Sequence, residues 1–135
     1  MLVKLNIVDL HEAIKNKLEN KSNLKAFDVI PLDESPPFLH IQYVGKSDSS
    51  TKTMYIESFT FHIHGFSEGE SSQNIYNVIE IIEEALTENI VLGKEYMVVN
   101  QTEDGIIQLL REDTGENHVI LQYTFKICYG FKCKA

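Results

Sequence analysis

The stretch from Met54 to Leu86 restricts this chain more than any other, because it reads as a long strand, a capped turn and an amphipathic helix in immediate succession. Within Tyr55-Ile56-Glu57-Ser58-Phe59-Thr60-Phe61-His62-Ile63-His64, the odd positions Tyr55, Phe59, Phe61 and Ile63 are large and mostly apolar. The later even positions Ser58, Thr60, His62 and His64 are polar. A period of two makes a strand with one buried and one wet face. Gly65-Phe66-Ser67-Glu68-Gly69-Glu70 breaks the pattern, and Ile75, Val78, Ile79, Ile82 and Leu86 then recur at helical spacing. A strand with one apolar face and a helix with one apolar stripe bury each other, so the unit is predicted to have two layers.

The flanking sequence completes that unit. A first helix is predicted over about Asp9–Glu19, capped by Asp9 with Glu12 as its box partner, and with Leu10, Ile14 and Leu18 on one stripe. Asn20-Lys21-Ser22-Asn23 ends it. Ala26–Ile30 reads as a short strand stopped by Pro31, and the proline- and acid-bearing segment Leu32–Pro37 as a loop. Alternation returns in Phe38–Val44, which is predicted to pair antiparallel with the strand from Met54. Residues 45–53 between them are almost wholly polar and form an exposed hairpin tip: either a tolerated loop or an arm to a neighbouring subunit. The second helix is predicted over about Ser72–Thr87, with Glu80, Glu83 and Glu84 on its outer face. The last third reads as a meander: a strand Tyr96–Gln101, a turn at Asp104-Gly105, a return strand Ile106–Leu110, a turn at Thr114–Asn117, and a closing strand from Val119 to Tyr129. The fold class is therefore α+β, a mainly antiparallel sheet with two helices on one face. A length of 135 residues suits a single domain, 1–135, with its core at about 8–129 and a flexible tail at 130–135.

Charge and cysteine content exclude several classes. Twenty acids against 12 bases give a formal net charge of −8, a surface that repels phosphate backbones. No apolar run reaches the length of a membrane span, and the start Met-Leu-Val-Lys-Leu-Asn-Ile-Val-Asp lacks a signal-peptide pattern, so the chain is expected in a cytoplasm, off the membrane. Cys128 and Cys133 do not have the Cys-x-x-Cys spacing of redox or zinc motifs and read as free thiols near a frayed end.

One constellation bears on chemistry. His40, His62, His64 and His118 share the parity of the polar sheet face, and His-x-His on a strand can present two imidazoles to one metal. No acid in these strands is an obvious third ligand, so exposed strand histidines are the plainer reading. No glycine-rich phosphate loop and no Gly-x-Ser-x-Gly elbow is present. No catalytic residue, cofactor or metal is predicted; a small metal-binding or hydrolytic module using the histidines, or a small intracellular binding domain, are the alternatives.

The order of elements carries a resemblance. Asp9-Leu10-His11-Glu12-Ala13-Ile14 opens the first helix, Ile30-Pro31 follows a short strand, His64-Gly65-Phe66-Ser67 ends the long one, and Ile75-Tyr76-Asn77-Val78-Ile79 lies in the second helix. A late hairpin and His118-Val119-Ile120-Leu121-Gln122-Tyr123-Thr124-Phe125 close the chain. Over roughly residues 8 to 127 this resembles the tail-completion proteins of long-tailed phages and prophages, the head–tail joining and tail-terminator family. It departs from them at Phe66, where many relatives carry tryptophan, and in a hairpin tip whose length varies. The resemblance implies a structural, non-enzymatic virion protein, assembled in the bacterial cytoplasm as a hexameric ring that meets the tail tube and the head connector. DNA would then be passing cargo. On that reading His40, Gln42, Thr60, His62, His64, Gln122 and Thr124 face the lumen. Lys46, Ser47, Asp48, Ser49 and Ser50 of the tip, with Glu80, Glu83 and Glu84, would contact neighbouring subunits.

Overall fold

The computed structural model describes residues 5–131. Elements follow in the order α1 (Ile7–Ser22), β1 (Ala26–Phe27), β2 (Phe38–Asp48), β3 (Met54–Ser67), α2 (Ser72–Ala85), β4 (Met97–Arg111) and β5 (Asn117–Phe131). Among the described residues five strands form one sheet in the order β1-β2-β3-β5-β4. Only the two-residue β1 is parallel to its neighbour; the other three pairings are antiparallel. The α+β class with a mainly antiparallel sheet is what the periodicities imply.

Both helices lie on the face that carries Leu39, Ile41, Phe59, Phe61, Ile63, Leu121 and Phe125, α1 over β1 and β2, α2 over β3 and β5. Leu10, Ile14 and Leu18 of α1 and Ile75, Val78 and Ile82 of α2 complete this core. Phe59, Phe61 and Phe125 are wholly buried, and each contributes about 1.5–3 kcal/mol by leaving water. Gly65 sets the height of α2 above the sheet. A Cβ there would lie 2.6 Å from Val78 Cγ1 and 3.2 Å from Ile82 Cδ1, so only glycine admits the helix this closely.

Several boundaries differ from those read off the sequence. Helix α1 starts before Asp9, because the side chain of Asn6 accepts the Val8 N–H at 2.8 Å and takes the cap; Asn23, in the left-handed region at φ 63°, closes the helix. Strand β1 stops at Phe27, short of Ile30. The supposed hairpin tip is half strand: Gly45, Lys46, Ser47 and Asp48 pair with Thr60, Phe59, Ser58 and Glu57 past a bulge at Tyr43–Gly45. Asp104-Gly105 is a bulge inside β4 and not a turn. Gly105 takes φ 118°, which satisfies a bulge as well as a hairpin, and β4 continues along β5 on both sides of it. What looked like a three-strand meander is thus one long β4–β5 hairpin turning at 112–116, where Gly115 N–H donates to Glu112 O. Strand β5 extends through Gly130 and Phe131, so the part of the expected tail that is described is strand; residues 132–135, with Cys133, lie outside the described residues. Cys128 is buried within β5 and not at a frayed end.

Candidate functional site

The face of the sheet opposite the helices is assembled from cross-strand rows, because directly paired residues share a face. His40 pairs with His64, Gln42 with His62 and through it with Gln122, and Thr60 with Thr124. His118 pairs with Phe66 in the next row. The sheet therefore gathers onto one face all four histidines and every polar residue that the alternation assigned to it.

Two hydrogen-bonded chains cover this face. In the first, Gln42 Oε1 lies 2.7 Å from His64 Nε2, His64 Nδ1 lies 2.7 Å from His118 Nε2, and His118 Nδ1 lies 2.7 Å from Glu112 Oε1. In the second, His62 Nε2 lies 3.2 Å from Gln122 Oε1, while Gln122 Nε2 and Thr124 Oγ1 both donate to Asp104 Oδ2, at 3.1 and 2.5 Å. His40 turns aside to the Asp28 carbonyl at 2.9 Å. Above the first chain, Phe38 stacks on Phe66 and Phe66 on His118, with ring centroids 4.7 and 4.2 Å apart.

His64 stands at the centre, its ring within 6.4 Å of three other imidazoles. Burial, then repulsion from His118, His40 and His62, lowers its pKa from 6.5 to about 4. His40 is also shifted down, chiefly by burial. With His64 neutral, donor counting leaves two arrangements. If the Gln42 oxygen faces His64, then His64 donates from Nε2, accepts at Nδ1, and His118 donates from both nitrogens to His64 and Glu112. If the amide is turned, its NH₂ donates to His64, His64 donates to His118, and His118 donates once, to Glu112.

Both nitrogens of His64 are occupied by protein partners, and among the described residues no group of three His, Cys, Asp or Glu side chains is placed to hold a metal ion. His40, His62, His64 and His118 are brought together as a hydrogen-bonded surface and not as a ligand set. Asp104 and Glu112, which anchor the chains, and Asp28, whose carbonyl meets His40, were not singled out from the sequence. Asp104 is aimed at Thr124 and Gln122 by the bulge, and Glu112 reaches His118 across the 112–116 turn.

The residues expected to touch neighbours divide into two groups. Lys46, Ser47 and Asp48 are exposed on β2, whereas Ser49 and Ser50 fold back on β3: Ser49 Oγ lies 2.5 Å from Ser58 Oγ, and Ser50 Oγ accepts the Ile56 N–H at 3.0 Å. Glu80 and Glu84 are exposed. Glu83 leaves the outer face; it is half-buried and hydrogen-bonds Glu103 of β4, beside Tyr123. Burial and then Glu83 raise the Glu103 pKa from 4.5 to about 7.

With this geometry in view, the comparisons with known proteins are specific. Residues 1–135 match the phage tail terminator family described as "Putative tail termination protein". The chain belongs to this family. Among solved structures, a chain of the "Virion of native gene transfer agent (GTA) particle" superposes with a TM-score of 0.71 at 14% identity, covering 90% of this chain and 96% of the other. At that identity the likeness speaks for the fold. No curated protein matches the sequence. The tail terminator family and the α+β fold are those that the order of elements implied.

Proposed function

We propose that this tail terminator acts as a ring at the end of the tail tube, where tail meets head. The family match over the whole length carries the reading, and the virion setting of a protein with the same fold supports it. The ring, a hexamer when assembled, closes the finished tube and meets the head connector, with tube protein and connector as its partners. Its role is structural and not enzymatic.

The face bearing His40, Gln42, Thr60, His62, His64, Gln122 and Thr124 suits the lumen. Its side chains are polar and cross-bonded to one another, and the anchoring groups Asp104 and Glu112 are carboxylates, so DNA meets a wetted surface that does not grip phosphate. Lys46, Ser47, Asp48, Glu80 and Glu84 stand exposed for contacts between subunits. Electron microscopy of particles from an inducible lysogen lacking this gene tests the function. Filled heads apart from tails, rescued by supplying the protein, are expected for a joining role; tails of uncontrolled length indicate termination. Normal infectious particles would sink the reading.

A further inference from the structure

We propose that β4 of one copy pairs antiparallel with the outer edge of β2 in the next copy, so that the sheet runs on from subunit to subunit. The proposal rests on the ring reading above and names the surface through which the ring forms.

Strand β4 closes one side of the sheet, with β5 as its sole strand neighbour among the described residues. It is 15 residues long, and its outer row of peptide groups faces no strand. Val99, Ile106, Ile107 and Leu109 are each about half exposed along it, at 46, 50, 52 and 46%. Proteins that stay apart shorten, charge or cover such an edge, since a long apolar edge is a template for another strand. Here the apolar side chains are left on the edge, and the bulges at Val98–Asn100, Glu103–Gly105 and Ile106–Gln108 divide it into short regular runs, of which Asn100–Glu103 is the one that meets β2.

The opposite side of the sheet offers the complement. Strand β1 pairs only with Leu39 and His40, so among the described residues β2 from Ile41 to Asp48 has no strand on its outer side, and Tyr43 and Val44 are exposed there. Directions agree as well. Strands β2, β3, β5 and β4 alternate across the sheet, so a rotated copy that continues it sets β4 antiparallel to the next β2. The two edges differ from each other, so the contact is heterologous, the kind that closes into a ring.

Charge selects the same pairing. Tyr43 lies in one cross-strand row with Phe61, Tyr123 and Glu103, and Lys46 in one row with Phe59, Phe125 and Gln101. Continuing these rows without slip places Lys46 of the next copy diagonal to Glu103, on the helix side of the sheet, within reach of a long side chain. Within one chain the groups acting on Glu103 are Glu83, hydrogen-bonded to it, and the Tyr123 hydroxyl, with no cation among them. Lys46, whose Nζ lies 3.4 Å from Glu57 Oε2 of its own chain, is held on that edge and brings a cation to the pair.

Paired cysteines test the contact in particles made by the deletion lysogen supplied with variant protein. Gly45→Cys is combined with Thr102→Cys, and Ser47→Cys with Asn100→Cys, together with both exchanged combinations, in a Cys133→Ala background. A Cβ at Gly45 meets nothing within 4 Å, and Ser47, Asn100 and Thr102 are exposed, so the changes are tolerated. On oxidation, at least one pair is expected to give a ladder of linked chains that single-cysteine controls lack. Protein present in particles with no ladder from any pair overturns the edge pairing and leaves the tail reading standing. Protein absent from particles overturns the tail reading, and the pairing with it. As a second arm, Ile107→Lys is expected to leave the melting of the isolated chain unchanged and lower the infectious titre to that of the deletion strain. Full rescue by Ile107→Lys would overturn the proposal.

Discussion

His64 is held where a charge is costly: buried, flanked by three imidazoles, and bonded at both nitrogens. Its folded-state pKa of about 4 lies below the ordinary 6.5, so between those values the unfolded chain binds the extra proton. The stability tied to its neutral form is complete above pH 6.5 and is lost as pH falls toward 4. With allowance for solvent screening at the half-exposed neighbours, the loss is roughly 1–3 kcal/mol. Melting temperature followed from pH 7 to 4 should therefore fall, and His64→Gln should flatten the fall; an equal slope in both proteins would refute this assignment. Glu103 runs the other way. Its folded pKa is raised from 4.5 to about 7, so the folded chain holds a proton that the unfolded chain has released. That contribution is complete below pH 4.5 and gone above 7. Glu103→Gln should raise the melting temperature at pH 8 relative to the parent and leave it unchanged at pH 4. A variant that melts below the parent at pH 8 would contradict the carboxyl–carboxyl contact.

Among the elements, α2 depends most visibly on a single position of its partner strand. Gly65→Ala places a methyl 2.6 Å from Val78 Cγ1 in a packed layer, and the helix must shift or a side chain leave its rotamer, at a cost of about 1–3 kcal/mol. Urea unfolding should show a lower midpoint with an unchanged slope; an unaltered midpoint would mean that α2 moves freely. The segment after α2 has no regular structure of its own; Ile90 anchors it in the core, Lys17 and Lys21 pair with Glu88, and one side chain binds its backbone. Gln101 donates to the carbonyls of Leu86 and Glu88, at 2.8 and 2.9 Å, and accepts the Ile90 N–H at 2.9 Å. Gln101→Leu removes all three bonds at once, and with about 1 kcal/mol net for each, a loss of roughly 1–3 kcal/mol is expected from thermal melting. Limited proteolysis should then cut between residues 87 and 95 sooner than in the parent chain.

Across the whole molecule, protection is graded by position in the sheet. Strands β3 and β5 are paired on both sides and lie under α2, whereas β4 is paired on one side and exposes most of its side chains. Hydrogen exchange of the isolated chain should be slowest in β3 and β5 and fastest, among the long strands, in β4. In assembled particles the β4 amides should slow and those of β3 and β5 stay as they were. Protection of β4 equal to that of β5 in a monomeric sample would remove the open edge on which subunit pairing depends.

Periodicity alone was enough for the two-layer fold, since alternation in Phe59–Ile63 and Leu121–Ile127 and the helical stripes of α1 and α2 each leave one apolar surface to bury. It also assigned His40, His62, His64 and His118 to a single face, because parity survives uncertainty in register. Parity does not say which residues meet. The row that joins Gln42, His62 and Gln122, and the bonds from His64 to His118 and on to Glu112, depend on the pairing of strands distant in the chain. Asp104-Gly105 marks the same boundary: a glycine at positive φ serves a turn and a bulge alike, and only pairing with β5 on both sides made it a bulge. Glu83, three residues from Glu80 and one from Glu84, is the partner of Glu103 and not an outer-face carboxylate, because β4, distant in the chain, lies within reach of its position on α2. Local sequence determined which surfaces were apolar; contacts distant in the chain decided which polar groups share a proton.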